Sequence, residues 1–419
     1  MKILVIGGGG REHAIVRKLK ESPRVETLYC APGNGGISRD AECVPIPVND
    51  IPGVVAFSKD HAVDLVFVAP DDPLASGMVD ELQNAGIRAF GPTARAAQIE
   101  SSKVFSKNLM KKYGIPTAGY EVFDDPQKAL RFIRQRGVYP AVVKADGLAL
   151  GKGVVIAQDE AEAQSALRSI MEDRIFGDSG RRVVVEEFLT GPEVSVLAFT
   201  DGKCVRPMVS SKDHKRAFDG DKGLNTGGMG TISPNPYYTP EVAQVCMDTI
   251  FLPTIRAMNE EGRPFRGCLY FGLMLTKDGP KVIEYNSRFG DPETQVVLPR
   301  LKTDFVDILE SVIDGRLENQ PIEWSGEACA CVVMASGGYP GRYEKGFEIT
   351  GLDGNGQARG ATVYHAGTLF RGGKFYTNGG RVLGVTALGK DLPEALAKAY
   401  AAAGTVHFKG AFFRHDIGR

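Results

Sequence analysis

The run Lys281-Val282-Ile283-Glu284-Tyr285-Asn286-Ser287-Arg288-Phe289-Gly290-Asp291 carries the densest chemistry in a chain of 419 residues. Its apolar start predicts a strand, and strand side chains alternate with period two. Glu284, Asn286 and Arg288 then share one face, and Ile283, Tyr285 and Ser287 the other. A carboxylate, an amide oxygen and a guanidinium converge. Hard Mg²⁺ takes oxygen ligands, keeps several waters and commonly completes its shell with substrate phosphates, which one carboxylate and one amide oxygen permit. The functional reading is nucleotide triphosphate chemistry; the structural reading is a strand emerging into solvent.

Other segments bear on the choice. Gly7-Gly8-Gly9-Gly10-Arg11-Glu12-His13 follows a first apolar run and opens a helical pattern, where free backbone amides and the helix dipole favour an anion. The third glycine of the dinucleotide fingerprint is missing. The second strand ends in Tyr29-Cys30-Ala31-Pro32, without the acid that grips a ribose, so a nicotinamide site is disfavoured. Pro32-Gly33-Asn34-Gly35-Gly36 would lie at the same sheet edge. Lys144 to Val154 is a glycine-rich stretch between two short strands. It reads as a hairpin able to fold amides over triphosphate oxygens, since a Walker loop would precede a helix. Val185-Glu186-Glu187-Phe188-Leu189 ends an apolar strand in acids suited to an adenine amino group and a ribose. Asp213-His214-Lys215-Arg216, with the turn Asn225 to Gly230 after it, offers three potentially cationic side chains to a phosphate; a solvated charge run is the ordinary alternative.

Elements must position these groups. Short runs at 3–6, 27–30, 65–68 and 88–90, separated by helical spacing at 12–20 and 76–85, predict a parallel sheet with helices on both faces in a domain spanning 1–100. Helices at 101–113 and 127–135 and strands at 141–144 and 154–157 make a small α+β lid, 101–190. Strand 183–187 starts a longer segment. Strands 194–199, 268–275 and 282–286 suggest an antiparallel sheet in a central domain, 191–323. Strands 328–335, 361–365 and 382–387, with a helix at 392–402, form a C-terminal α+β domain, 324–419. A net charge of −1 leaves no basic field for nucleic acid. No apolar stretch reaches 18 residues, so no membrane span is expected. The seven cysteines contain no C-x-x-C, which suits a reducing cytosol.

In this order the motifs resemble the ATP-grasp superfamily and, within it, the phosphoribosylamine–glycine ligase (glycinamide ribonucleotide synthetase) family. The likeness spans essentially the whole chain. It rests on Gly7 to His13, Pro32 to Gly35, Ile99-Glu100-Ser101-Ser102-Lys103, Lys144 to Val154, Asp213 to Arg216, Asn225 to Gly230 and Glu284 to Glu293. Further support comes from Gly337 to Gly341, His365 to Thr368 and Thr377 to Val385. The resemblance implies an ATP-grasp fold with a Rossmann-like N-terminal domain, a lid and a C-terminal domain. It implies an ATP-dependent ligase that joins glycine to 5-phosphoribosylamine through glycyl phosphate, in the second step of purine biosynthesis. It places Lys103 and Lys144 on ATP phosphates under Gly151, Lys152 and Gly153, with Glu186, Glu187, Leu189 and Glu193 around adenosine. Glu284 and Asn286 would ligate Mg²⁺, or Mn²⁺ in its place. Arg288, and Lys144 with it, would act on the reacting groups. Gly8, Gly9, Arg11, Asn34, Asp71, Asp213, Lys215, Gly227, Gly228, Met229, Arg288 and Asp291 would hold the other substrates. Asp71 stands where the family commonly has glutamate, and 267–275 lacks the acid many relatives carry. A cytoplasmic monomer or weak dimer is expected. The rival readings are a sister ligase activating formate or bicarbonate, a non-catalytic ATP-binding protein, and a dehydrogenase using the first glycine loop.

Overall fold

A computed structural model of the chain describes residues 1–149 and 153–419. The first apolar run becomes the strand Lys2–Gly7, in which Ile3, Leu4, Val5 and Ile6 are fully buried. Burial on both faces is what a parallel sheet between helices imposes. Five parallel strands lie in the order Glu42–Cys43, Thr27–Pro32, Lys2–Gly7, Leu65–Val68, Ala89–Phe90. The order reverses between Lys2–Gly7 and Leu65–Val68, and open α/β sheets take ligands in the crevice outside the carboxyl ends at such a point. Both glycine loops lie at that end. They touch: the Gly33 amide donates to the Gly7 carbonyl at 3.0 Å, and a Cβ at Gly8 would overlap the Gly33 carbonyl.

A second sheet, antiparallel throughout, orders Tyr120–Phe123, Val183–Glu187, Ala141–Ala145 and Val154–Ala157. Helices Pro126–Arg136 and Glu160–Leu167 bury Leu130, Ile133, Ala163 and Leu167 against it. Facing this lid is a third sheet, Val205–Pro207, Glu193–Thr200, Gly267–Thr276 and Gly279–Asn286. The last two strands break register: Gly272 pairs with Glu284 but Leu273 pairs with Val282, leaving Ile283 as an extra residue. The expected alternation is therefore corrected at one place. Val282 and Tyr285 enter the core, whereas Ile283 joins Glu284 and Asn286 in the wall of a cleft.

Strands Gly230–Ser233 and Lys212–Asp213 extend a C-terminal sheet of Ala328–Ala335, Arg381–Gly389 and Thr362–His365, backed by the helix Leu392–Ala403. A small sheet of Glu348–Ile349, Lys374–Thr377 and Thr368–Arg371 lies beside it, and sequence reading missed it. Its hairpin turns at Gly372-Gly373, both at positive φ, a signal that was there to be read. Among the described residues no helix is long and apolar enough to cross a membrane.

Aromatic packing ties the sheets together. Phe289 lies 5.9 Å from Phe67 of the first sheet, 6.0 Å from Phe199 of the third and 6.0 Å from Phe305 of the helix Phe305–Ile313, ring centre to ring centre. Buried among three elements, it fixes the backbone next to Arg288.

Buried histidines join the N- and C-terminal regions. His13 Nδ1 accepts the His365 amide at 2.7 Å, which leaves its Nε2–H for Asp40 at 3.1 Å. His365 Nε2 donates to the Gly356 carbonyl at 2.8 Å, and His214 Nε2 accepts the Gly418 amide at 3.0 Å. Burial lowers the pKa of all three, His214 to about 4 and His365 to about 3. An unfolded histidine takes its proton near pH ~6.5, so below that value the unfolded chain binds more protons than the native one. Stability present above that pH is therefore lost as pH falls toward 4 and then 3. The loss is up to about 1.4 kcal/mol per pH unit for each histidine. Urea midpoints at about pH 7.5 and about pH 5 should differ accordingly; equal midpoints would mean that these rings protonate freely in the fold.

Candidate active site

A cleft of about 520 Å³ opens between the lid, the third sheet and the carboxyl edge of the first. Its floor is the end of Gly279–Asn286. Glu284 and Asn286 face the space, and among the described residues neither side chain has a hydrogen-bond partner in the protein. Burial alone would raise the Glu284 pKa, but Lys215, Lys144, Lys103 and Arg288 outweigh it and hold the group below its ordinary value. An ionised carboxylate and an amide oxygen aimed at open space are a fitting donor set for a hard divalent cation that shares its shell with phosphate.

Arg288 stands two residues further on. Its guanidinium pairs with Glu100 at 3.1 Å, and Glu100 also accepts the Ser287 amide and hydroxyl at 2.7 and 2.8 Å. Burial raises the Glu100 pKa against the pull of Arg288. Arg288 Nε is buried without any acceptor, an unpaired donor in the cleft wall. Buried donors are rarely left so, and an anionic ligand oxygen would satisfy this one. Asp71, at the head of the helix Asp71–Ala75, lines the same end.

The lysines come from two elements. Lys103 begins the helix Lys103–Tyr113 and donates to the Gly147 carbonyl at 2.9 Å. Asp146, from the lid hairpin, accepts the Val104 amide and the Ser102 hydroxyl, each at 2.9 Å, which docks the hairpin on the helix start. Lys144, on Ala141–Ala145, donates to the Ile283 carbonyl at 3.1 Å and forms an ion pair with Glu186 Oε1 at 3.1 Å, an oxygen that no hydrogen bond satisfies. Glu186 was expected to face adenosine. It lines the cleft wall, with its carboxylate buried between Lys144 and Lys107, the latter at 3.0 Å. Burial lowers the Lys107 pKa to about 8, against the pull of Glu186. Glu187, Leu189 and Glu193 continue the wall, and Gly153 closes the described part of the hairpin. Gly151 and Lys152 lie outside the described residues.

The remaining expected residues divide. Asp213 and Lys215 meet at 3.3 Å in the cleft, where burial pushes the Asp213 carboxyl well above the usual range. The ordinary reading of 213–216 as a solvated run is corrected for Asp213, whose side chain is 4% exposed, and for His214, which is buried. His214 stays neutral and cannot serve as a phosphate cation. Gly227 and Asp291 line the cleft, joined by Arg381: its guanidinium donates to the Gly227 carbonyl at 2.6 Å and to Asp291 at 3.0 Å. Gly228 and the fully buried Met229 lie behind that wall, and a Cβ at Gly228 would overlap Pro292.

The first glycine loop also departs from expectation. The Glu12 carboxylate accepts the Gly9 amide at 2.6 Å, so the helix start carries its own anion. Gly8 and Gly9 are not in the cleft wall; Arg11 is, held by Glu12 at 2.6 Å. Asn34 is outside as well. Its amide spans the Gly8 and His365 carbonyls at 2.9 and 2.8 Å and accepts from Gly36 and Ile37, so the side chain is spent on holding loops together.

Sequence reasoning assigned no role to Lys107, Glu100 or Arg381. Lys107 follows Lys103 by four residues, the spacing that stacks two side chains on one helix face, and could have been found that way. Arg381 carried no such local signal.

Two sheets facing each other across a lysine-lined cleft, with a glycine hairpin from one of them in its wall, are the ATP-grasp architecture, and the chain is an ATP-grasp enzyme. Models of the phosphoribosylglycinamide synthetase N domain, ATP-grasp (A) domain and C domain match residues 1–100, 101–294 and 329–419. The chain belongs to the phosphoribosylamine–glycine ligase family. The ligase of that name from Caldanaerobacter subterraneus subsp. tengcongensis is 50% identical over 417 residues, covering 100% of this chain and 99% of its own. The crystal structure of the Thermotoga maritima phosphoribosylamine–glycine ligase aligns with a TM-score of 0.85 at 34% identity, over 100% of both chains. The biotin carboxylase domain of Hydrogenobacter thermophilus 2-oxoglutarate carboxylase shares the fold at a TM-score of 0.74 and 16% identity, over 98% of this chain and 91% of that one.

Proposed function

We propose that this cleft joins glycine to 5-phosphoribosylamine at the expense of ATP, giving glycinamide ribonucleotide, ADP and phosphate. The observation that carries the reading is the Glu284–Asn286 oxygen pair facing a cleft that also presents Lys103, Lys144, Lys215 and the unpaired Nε of Arg288. A glycine carboxylate oxygen bonds to the γ-phosphorus of ATP as the bond to the bridging oxygen breaks, and ADP departs. The amine of phosphoribosylamine then bonds to the acyl carbon of glycyl phosphate. The C–O bond breaks, and the amine proton ends on the released phosphate. Neither step calls for a protein nucleophile. The protein's work is alignment and charge neutralisation at groups fixed in advance.

Lys103 and Lys144 take the phosphates, and Arg288 offers its Nε–H to the acyl phosphate, fixed by Glu100 on one side and Phe289 on the other. Arg11, Asp71, Asp213, Lys215, Gly227 and Asp291 form the end left for phosphoribosylamine and glycine. Glu284 and Asn286 would hold Mg²⁺, which supplies Lewis-acid neutralisation of phosphoryl charge; Mn²⁺ suits the same oxygen donors. The lid keeps water from a hydrolysable anhydride. All seven cysteines are free thiols, which suits a cytoplasmic protein. We read the chain as a monomer or weak dimer.

Release of ADP should require glycine and Mg²⁺, and its continuation over many turnovers should require phosphoribosylamine as well. A screen of glycine, formate and bicarbonate should find glycine alone productive. Turnover with either other acid would reassign the substrate, and nucleotide binding without any turnover would leave a non-catalytic protein.

A further inference from the structure

We propose that Lys107 is a positioning residue for nucleotide binding: it holds the Glu186 carboxylate so that Lys144 can exchange that carboxylate for the nucleotide's phosphates. The inference rests on the ATP reading above and deepens it. Two ammonium groups share one carboxylate, Lys107 with Oε2 at 3.0 Å and Lys144 with Oε1 at 3.1 Å, and the three side chains are only 3%, 6% and 4% exposed for Lys107, Lys144 and Glu186. A buried carboxylate stripped of all cationic partners is strongly unfavourable. One lysine can leave only if the other stays.

The geometry distinguishes them. Lys107 also donates to the Thr117 hydroxyl at 2.8 Å, which in turn donates to the Val282 carbonyl at 2.7 Å, and its ammonium lies 5.7 Å from the centre of the Tyr120 ring. It is tied to the helix, the lid and the third sheet at once. Lys144 belongs to the strand that runs into the glycine hairpin, and its only other partner among the described residues is the Ile283 carbonyl, beside Glu284. A triphosphate outbids one carboxylate for that ammonium, provided that Glu186 remains neutralised where it is. Lys107, four residues from Lys103 on the same helix face, supplies that charge from the cleft wall while it stays on Glu186.

The test is calorimetric titration of the full chain with ATP and Mg²⁺, with steady-state kinetics beside it. Lys107→Met should weaken ATP binding about tenfold or more and raise the KM for ATP in step, with kcat at saturating ATP changed by less than about threefold. Combining it with Glu186→Gln removes the stranded charge, so the double variant should recover most of the loss; additive losses would overturn the proposal. Thr117→Val alters no charge and deletes the anchor of Lys107 together with the hydroxyl's own bond to the Val282 carbonyl. It should cost about threefold in affinity, it decides the matter should Lys107→Met not fold, and parent-like binding would count against the assignment. Lys144→Met should weaken ATP binding in its own right. If it does not, the nucleotide reading of the cleft fails; if it does while Lys107→Met binds ATP as the parent does, only the role of Lys107 is refuted.

Discussion

Glu284→Ala is expected to lower turnover by about three orders of magnitude, roughly 4 kcal/mol of lost transition-state stabilisation. The carboxylate sits among Lys215, Lys144, Lys103 and Arg288 without bonding any of them directly among the described residues. Its negative charge is thus available to a cation arriving with the nucleotide. The substitution also removes a like charge from the site of a triphosphate. Metal-free ATP should therefore bind as well as before or better, while the gain in affinity on adding Mg²⁺ disappears. Titration of ATP with and without Mg²⁺ separates the two effects. Turnover close to that of the parent would take Glu284 out of the metal site.

Arg288→Met is expected to act twice, and the two effects come apart. Turnover should fall about a hundredfold to a thousandfold, the usual consequence of removing one preorganised donor from developing charge. Stability should fall by about 2–3 kcal/mol, because Glu100 loses its cation and remains buried. The two bonds from Ser287 keep the cost from being larger. Adding Glu100→Gln removes the stranded charge, so the double variant should regain most of the stability and none of the turnover. Urea unfolding and single-turnover rates read the two quantities independently. Recovery of turnover in the double variant would mean that Arg288 serves the fold and not the reaction.

How far these groups could be read beforehand follows from the range of the interactions that place them. Period-two alternation put Glu284 and Asn286 on one face, because a strand's side-chain direction is a local property of its backbone. The same rule misplaced Ile283, because the bulge opposite Leu273 comes from how two strands pair, and pairing is not written in either strand alone. Glycines 7 to 10 announced a strand-to-helix turn. They did not announce that Glu12 would fill its amide, that Asn34 would spend both ends of its side chain on neighbouring loops, or that His365 from far along the chain would complete that contact. The small sheet around Lys374–Thr377 was legible at Gly372-Gly373, and the two-residue strand Glu42–Cys43 was not, since it owes its existence to a neighbour.

The amino-acid order by itself determined the chemistry on offer and the local frames that carry it. Acid, amide and guanidinium stand at alternate positions of one strand, lysines flank a glycine hairpin, and glycines end the first strand. Each is fixed by covalent spacing of a few residues. Only the tertiary structure decided which charges meet. Glu186 fell between Lys107 and Lys144, Glu100 against Arg288, and Arg381 across Gly227 and Asp291. Those choices are made where separate sheets pack and water is excluded, and there a buried charge must find its opposite whatever its distance along the chain.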